Sequence, residues 1–269
     1  MRIHLFSTDE SVFGLLDALP PEDRVAAVVV PTNRTGREKI HKLIAAAEAR
    51  NLTVHLHRTR QRLPEDLPRA EAGISWLYSQ IIATEDIGAY SRGILNMHGG
   101  RIPEYRGASV LHWAIVNGET EMGITWHEIV EEVDAGPIWS ETTIPIPREA
   151  TAADMRLAMI EAGIRAFPEA WRRFKTRSGE PRRPDLSRGR VWPMRKPSDG
   201  MIGPNWPARR VRDMVRACCP PWPPATVATE TGRAAVRAIL PAPTPETLAY
   251  PTADGETLHL LVAEGGSAN

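Results

Sequence analysis

Only two cysteines occur in the 269 residues, and they are adjacent, Cys218 and Cys219. That excludes a disulfide framework and a C-x-x-C metal clip. Charge of one sign is missing too: 33 basic and 33 acidic side chains leave a formal net charge of zero, which argues against nucleic-acid binding driven by bulk charge. No apolar run approaches the ~18 residues a membrane span needs. The opening Met1-Arg2-Ile3-His4-Leu5 lacks the apolar stretch and small-residue cleavage site of a secretory signal, so a cytoplasmic protein is expected. Phosphate-binding glycines are absent where they would be needed. The first strand-to-helix turn, Ser7 to Gly14, holds no G-x-G-x-x-G, and no G-x-x-x-x-G-K-[ST] occurs anywhere. A nicotinamide or ATP enzyme therefore has little support.

What is present is an ordinary folded composition, 42% hydrophobic and 25% charged, long enough for one large domain or a main domain with a small companion. Met1–Phe6, Val25–Val30, Leu52–Leu56, Ile74–Tyr78 and Gly93–Met97 read as strands. Between the first two, a Ser/Thr/Asp/Glu turn caps a helix running to Leu19, and Thr35–Asn51 repeats its apolar residues at helical spacing. This alternation predicts an α/β fold: a Rossmann-like, mostly parallel sheet with helices on both faces. Arg172–Lys196, rich in Arg and Pro, reads as a connector. Val211, Met214 and Val215 form a short helical stripe, and 225–264 alternate short apolar runs with Gly, Pro and Thr turns. The expected organisation is a catalytic domain over 1–180, then a linker and a small β-rich, OB-like domain over 181–269.

The chemistry-bearing stretch is Asn96-Met97-His98-Gly99-Gly100-Arg101. Asn96 and His98 stand two apart at the end of an apolar strand, so the strand period turns both side chains to one face. The C-terminal ends of parallel strands are where α/β sheets bind substrates. An amide donor beside an imidazole suits a developing oxyanion, one group donating a neutral hydrogen bond and the other able to shuttle a proton. Farther on, Asp134-Ala135-Gly136 at a strand-to-strand turn is placed to orient an imidazole and raise its basicity. His55-x-His57 has a metal-ligand look but no third ligand of suitable spacing, so it reads as strand surface and no metal is expected.

Asn96-x-His98, Pro103-x-Tyr105-Arg106-Gly107, Asn117-Gly118-Glu119-Thr120-Glu121 and Asp134-Ala135-Gly136, in this order and spacing, resemble the formyltransferases that use 10-formyltetrahydrofolate. The strong similarity covers roughly 73–147. A weaker one covers 195–225, through Pro197-Ser198-Asp199-Gly200, Met214-Val215-Arg216-Ala217 and Pro221-Trp222-Pro223. The resemblance implies attack of an amine on the formyl carbon through a tetrahedral intermediate. Asn96 and His98 would stabilise that intermediate, and Asp134 would support His98. It also implies a folate pocket at Gln80, Ile81 and Ile82 and along the loop Val130, Glu131, Glu132, Val133 and Asp134. Tyr105 and Arg106 are the candidate contacts to the acceptor. The sequence departs from the family where Gly100-Arg101 replaces its usual Ser-Leu.

Two acceptors compete. The glycine after His98 and the run 214–223 look closest to family members that formylate UDP-4-amino-4-deoxyarabinose, which favours a small amine such as a nucleotide-linked amino sugar. Methionyl-tRNA is the alternative, with the Arg-rich segment 172–196 as its basic surface. The loop Pro31 to Lys39 is too short and too modestly basic to strengthen that reading. No membrane partner is expected, and a homodimer is compatible with the sequence. A catalytically inactive binding module remains a third reading, motivated by Gly100-Arg101. Trp113 reads as core on its helix, and Trp192, Trp206 and Trp222 as anchors of the second domain.

Overall fold

A computed structural model describes residues 1–32, 37–230 and 232–263. Residues 33–36 of the modestly basic loop, and residue 264 at the end of the expected β-rich stretch, lie outside the described residues. In chain order the strands are β1 (Arg2–Ser7), β2 (Arg24–Pro31), β3 (Val54–His57), β4 (Ala72–Trp76), β5 (Gly93–His98), β6 (Arg106–Gly107), β7 (Glu121–Glu128) and β8 (Ile138–Pro145). They continue with β9 (Val191–Trp192), β10 (Met201–Ile202), β11 (Ala225–Thr229), β12 (Gly232–Leu240), β13 (Thr247–Pro251) and β14 (Thr257–Ala263). The α-helices are α1 (Arg37–Glu48), α2 (Thr84–Ile87), α3 (Val110–Val116), α4 (Ala152–Thr176) and α5 (Ala208–Ala217). The chain divides into two compact units, one of Met1–Arg106, Gly123–Thr143 and Met159–Arg190, the other of Gly107–Met122, Ile144–Ala158 and Val191–Asn269.

The first unit is built on a seven-stranded sheet in the order β3-β2-β1-β4-β5-β7-β8. The pairs β1–β2, β1–β4, β2–β3 and β4–β5 are parallel, and β7 returns antiparallel to β5. The mostly parallel arrangement explains the near-continuous apolar runs: Val28, Val29 and Val30 are all fully buried, as strands covered on both faces must be. Phe167, Trp171 and Phe174 on α4 are fully buried with Trp126 of β7, their rings following one another at 5.2, 6.0 and 5.6 Å. Two expectations need correction here. The segment after β1 is a 3-10 helix, Glu10–Ala18, capped by Asp9, whose side chain accepts from the Ser11 amide at 3.1 Å. The supposed connector also begins later than its composition suggests, because α4 runs on to Thr176: Phe174 is core, and Arg172 pairs with Glu169 one turn back. The arginines lie on the polar side of an amphipathic helix rather than in a linker.

Asp23 ties the end of α4 to the start of β2. Its buried carboxylate accepts from Trp171 Nε1 at 2.8 Å, Lys175 Nζ at 2.9 Å and the Met1 amino group at 2.9 Å. Burial pushes its pKa up, but the donors, Lys175 foremost, hold it below the ordinary 3.8. A carboxyl lowered in the folded state contributes stability that is complete above the unfolded pKa and lost as the pH falls through the folded one. Asp23→Ala is expected to cost about 2 to 4 kcal/mol, since it strands buried donors. Denaturant unfolding at neutral pH measures this, and a loss under about 1 kcal/mol would show that the network is not needed.

The second unit carries a five-stranded sheet, β10-β11-β12-β14-β13, antiparallel except for the β10–β11 pair. Its core joins Val211 and Met214 of α5 to Val227, Val236, Leu258 and Leu260 of the sheet. The helical stripe and the short strands expected from the sequence thus share one small core.

Candidate active site

Strand β5 presents the sequence pattern as expected. Leu95 and Met97 are buried, while Asn96 and His98 share the alternate face. Antiparallel pairing with β7 sets Asn96 opposite His127 and His98 opposite Thr125. His127 is the residue the sequence reading missed. Its Nδ1 lies 2.8 Å from the Glu128 carbonyl, so that nitrogen donates, and the bare Nε2, 3.1 Å from Asn96 Nδ2, accepts from the amide. The bond fixes which way the Asn96 amide points and leaves its second N–H available. The signal was present in Thr125-Trp126-His127, which alternates like a strand. Its pairing with Asn96 depends on register, which the residues themselves do not reveal.

Asp134 lies between β7 and β8 in the left-handed region, φ 48°. One carboxylate oxygen is 3.5 Å from His98 Nδ1 and the other 3.4 Å from His127 Nε2. Asn96 and His98 of β5 therefore come together with Asp134 from the loop after β7, and with His127 of β7 as a fourth. Both carboxylate distances exceed an ordinary hydrogen bond, so Asp134 acts on the two rings through charge and orientation. Gly136 is required by its neighbours, because a Cβ there would run into the Glu128 carbonyl.

His98 Nε2 faces the Tyr105 carbonyl at 2.5 Å and donates to it. Its Nδ1 edge is thereby the one turned to Asp134. The departure from the family at Gly100 has a local reason. A Cβ at Gly100 would sit 2.5 Å from the Tyr105 carbonyl oxygen and 2.8 Å from His98 Nε2, so no side chain fits there. Thr125 Oγ1 donates to the Gly100 carbonyl at 2.8 Å and holds this close approach.

The remaining site candidates separate into different settings. Ile82 is buried in a cluster with Phe6, Val29, Tyr90 and Ile94, whereas Ile81 is exposed, its backbone N–H donating to Thr59 Oγ1 at 3.1 Å. Gln80 precedes them after β4. Val130 and Val133 are exposed apolar side chains, and Glu131 and Glu132 stand exposed between them. Arg106 is buried: its guanidinium donates to Glu132 Oε1 at 2.7 Å and to the Val133 carbonyl at 3.4 Å, so it braces the loop that carries Asp134. Tyr105 is half-buried and meets His98 through its backbone. His57 departs from the expected strand surface. It is buried, with Nδ1 2.6 Å from the Tyr78 hydroxyl and Nε2 3.0 Å from the Gln61 carbonyl, so the aromatic neighbour that buries it also satisfies it. Among the described residues no group of three or more His, Cys, Asp or Glu is placed to hold a metal ion.

A family model described as formyl transferase matches residues 20–171, more than half of the chain. The chain belongs to the formyl transferase family. That makes it a formyl-transferring enzyme, and the fold is that of its relatives. WlaRD, a sugar 3N-formyltransferase solved with dTDP and 5-N-formyl-THF, shares 16% identity and a TM-score of 0.73 over 98% of each chain. An N-formyltransferase from Helicobacter canadensis, in complex with folinic acid and dTDP-3-aminofucose, gives 16% and 0.71 over 97% of this chain and 99% of that one. Methionyl-tRNA formyltransferase from Clostridium thermocellum gives 16% and 0.59 over 98% and 99%. At such identity these likenesses speak for the fold alone. Among the described residues no helix of this formyltransferase is long and apolar enough to cross a membrane.

Proposed function

We propose that the protein transfers the formyl group of 10-formyltetrahydrofolate to the primary amine of a small acceptor, an amino-sugar nucleotide. The observation that carries the chemistry is the convergence of His98 and His127 on the carboxylate of Asp134, with the Asn96 amide hydrogen-bonded to His127. The donor's fit is supported by the exposed apolar side chains of Ile81, Val130 and Val133, since flat ring systems favour apolar walls beside polar backbone. When bound, the donor supplies the activated formyl carbon.

Asn96 keeps one N–H on His127 and offers the other to the formyl oxygen, which gains charge as the amine nitrogen adds to the carbon. The new C–N bond leaves a proton on the nitrogen that must be removed. Another must reach the folate nitrogen as the old C–N bond breaks. With Nε2 donating to the Tyr105 carbonyl, His98 Nδ1, which faces Asp134, is the atom left to take and return a proton. Under this reading residues 1–180 supply the catalytic domain, and 181–269 a linker with a small β-rich domain.

A small amine is favoured over tRNA by the zero net charge and by the place of Arg172 and Arg173 on α4, where they pair with Glu169 and with the Trp139 carbonyl. The dTDP bound to one structural relative and the dTDP-3-aminofucose bound to another point the same way. The deciding experiment incubates the protein with 10-formyltetrahydrofolate and, in parallel, a UDP-linked 4-amino sugar, a dTDP-linked 3-amino sugar and charged initiator tRNA, with mass spectrometry of each product. One added formyl group on a sugar nucleotide is the expected outcome. Formylation confined to the tRNA would overturn the acceptor, and no tetrahydrofolate release with any amine would favour a binding module.

A further inference from the structure

The second unit holds a cavity of about 70 Å³ that the formyl-transfer reading leaves unused, with Ser109, His112, Arg195, Lys196, Cys218 and Trp222 among its lining residues. His112 is only 9% exposed, and both of its ring nitrogens are buried without a hydrogen-bond partner. Arg195 Nε is likewise buried and unpartnered. Among the described residues the rest of that guanidinium meets no carboxylate: its carbon lies over the Trp113 ring at 5.3 Å. One terminal nitrogen donates to the Asp199 carbonyl at 2.8 Å and otherwise meets the sulfurs of Met214 and Cys218 at 3.4 Å. No carboxylate lines the cavity, and Lys196 adds a second cation at its wall.

Buried polar groups and half-buried charges are costly unless paired. Three orphaned nitrogens and two cations around one small space therefore describe a receptor for an oxyanion. We propose that this cavity is a binding site for a phosphate group, free or as a phosphomonoester. Arg195 Nε and Lys196 Nζ would donate to its oxygens, as charge-assisted hydrogen bonds to phosphate commonly do. His112 contributes differently. Burial, with the Arg195 charge behind it, pushes its pKa down to about 4. The neutral ring therefore offers one donor and one acceptor. A partly protonated phosphate presents the matching pair, bare oxygens and one P–OH, whereas a fully ionised carboxylate offers only acceptors. Trp222, edge-on to His112 at 4.4 Å, fixes the imidazole plane. The Arg195 backbone N–H, bonded to Ser109 Oγ at 3.1 Å, anchors the base of the arginine.

The test is a titration of the full chain with inorganic phosphate and, separately, with uridine monophosphate, read on the His112 ring resonances of isotope-labelled protein. A saturable shift is expected with at least one probe. Lys196→Ala, a change at an exposed position that spares the core, is expected to weaken it about tenfold, as the loss of one charge-assisted contact would. A nucleotide affinity at least tenfold above that of free phosphate assigns the group to a nucleotide; comparable affinities assign it to the free ion. Absence of a saturable shift with both probes, or unchanged affinity in Lys196→Ala, overturns the site. The readout is binding rather than turnover, so its failure is distinguishable from failure of the formyl-transfer reading.

Discussion

Asn96→Ala is expected to lower kcat/KM for formyl transfer about 100- to 1000-fold, the usual consequence of deleting one oxyanion donor. The geometry explains why the loss should be that large. The amide is pinned by His127 Nε2 at 3.1 Å, so its free N–H is aimed before the reaction begins and no reorganisation is needed when charge develops. The substitution also removes the donor to His127 Nε2, leaving that ring to turn toward Asp134. Asn96 is only half-buried, so the fold should survive, with an unfolding midpoint shifted by no more than a few degrees. Steady-state kinetics beside a thermal melt checks both halves. A folded variant that keeps a third of the wild-type activity would remove Asn96 from the mechanism.

Asp134→Asn should be comparably severe, about 100- to 10,000-fold in kcat, the range seen when an orienting carboxylate beside a working imidazole is replaced by its amide. Asn is the informative substitution. Asp134 sits at φ 48°, and Asn tolerates the left-handed region about as well as Asp, whereas Ala would add backbone strain to the lost charge. The amide retains the shape but not the charge shared by His98 and His127. KM for the acceptor should change little, because the carboxylate faces the two rings. A loss confined to KM, or a kcat within threefold of wild type, would show that Asp134 only shapes the loop.

The parts of the site visible in the sequence are those with a local cause. Asn96 and His98 share one face because a strand has a period of two, and the Asp134-Ala135-Gly136 turn needs glycine because Gly136 presses on the Glu128 carbonyl. What stayed hidden depended on partners distant in the chain. Nothing near Arg106 shows that its guanidinium turns inward to Glu132, 26 residues on, rather than toward a substrate. Nothing near His57 indicates that Tyr78 will bury and satisfy it. His112 looks like any helical histidine until Arg195 and Trp222, from segments about 80 and 110 residues later, close a cavity around it.

By itself, then, the sequence determined the α/β alternation, the family, and the three residues expected to carry the reaction, because strand period, turn chemistry and motif order are written in neighbouring positions. Only the tertiary structure decided that His127 stands between Asn96 and Asp134, that Gly100 is glycine for want of room beside His98, and that α4 absorbs the first arginines of the apparent linker. Those outcomes follow from register, close packing and charge pairing, which are set by where distant segments meet, and a linear pattern does not encode that meeting place.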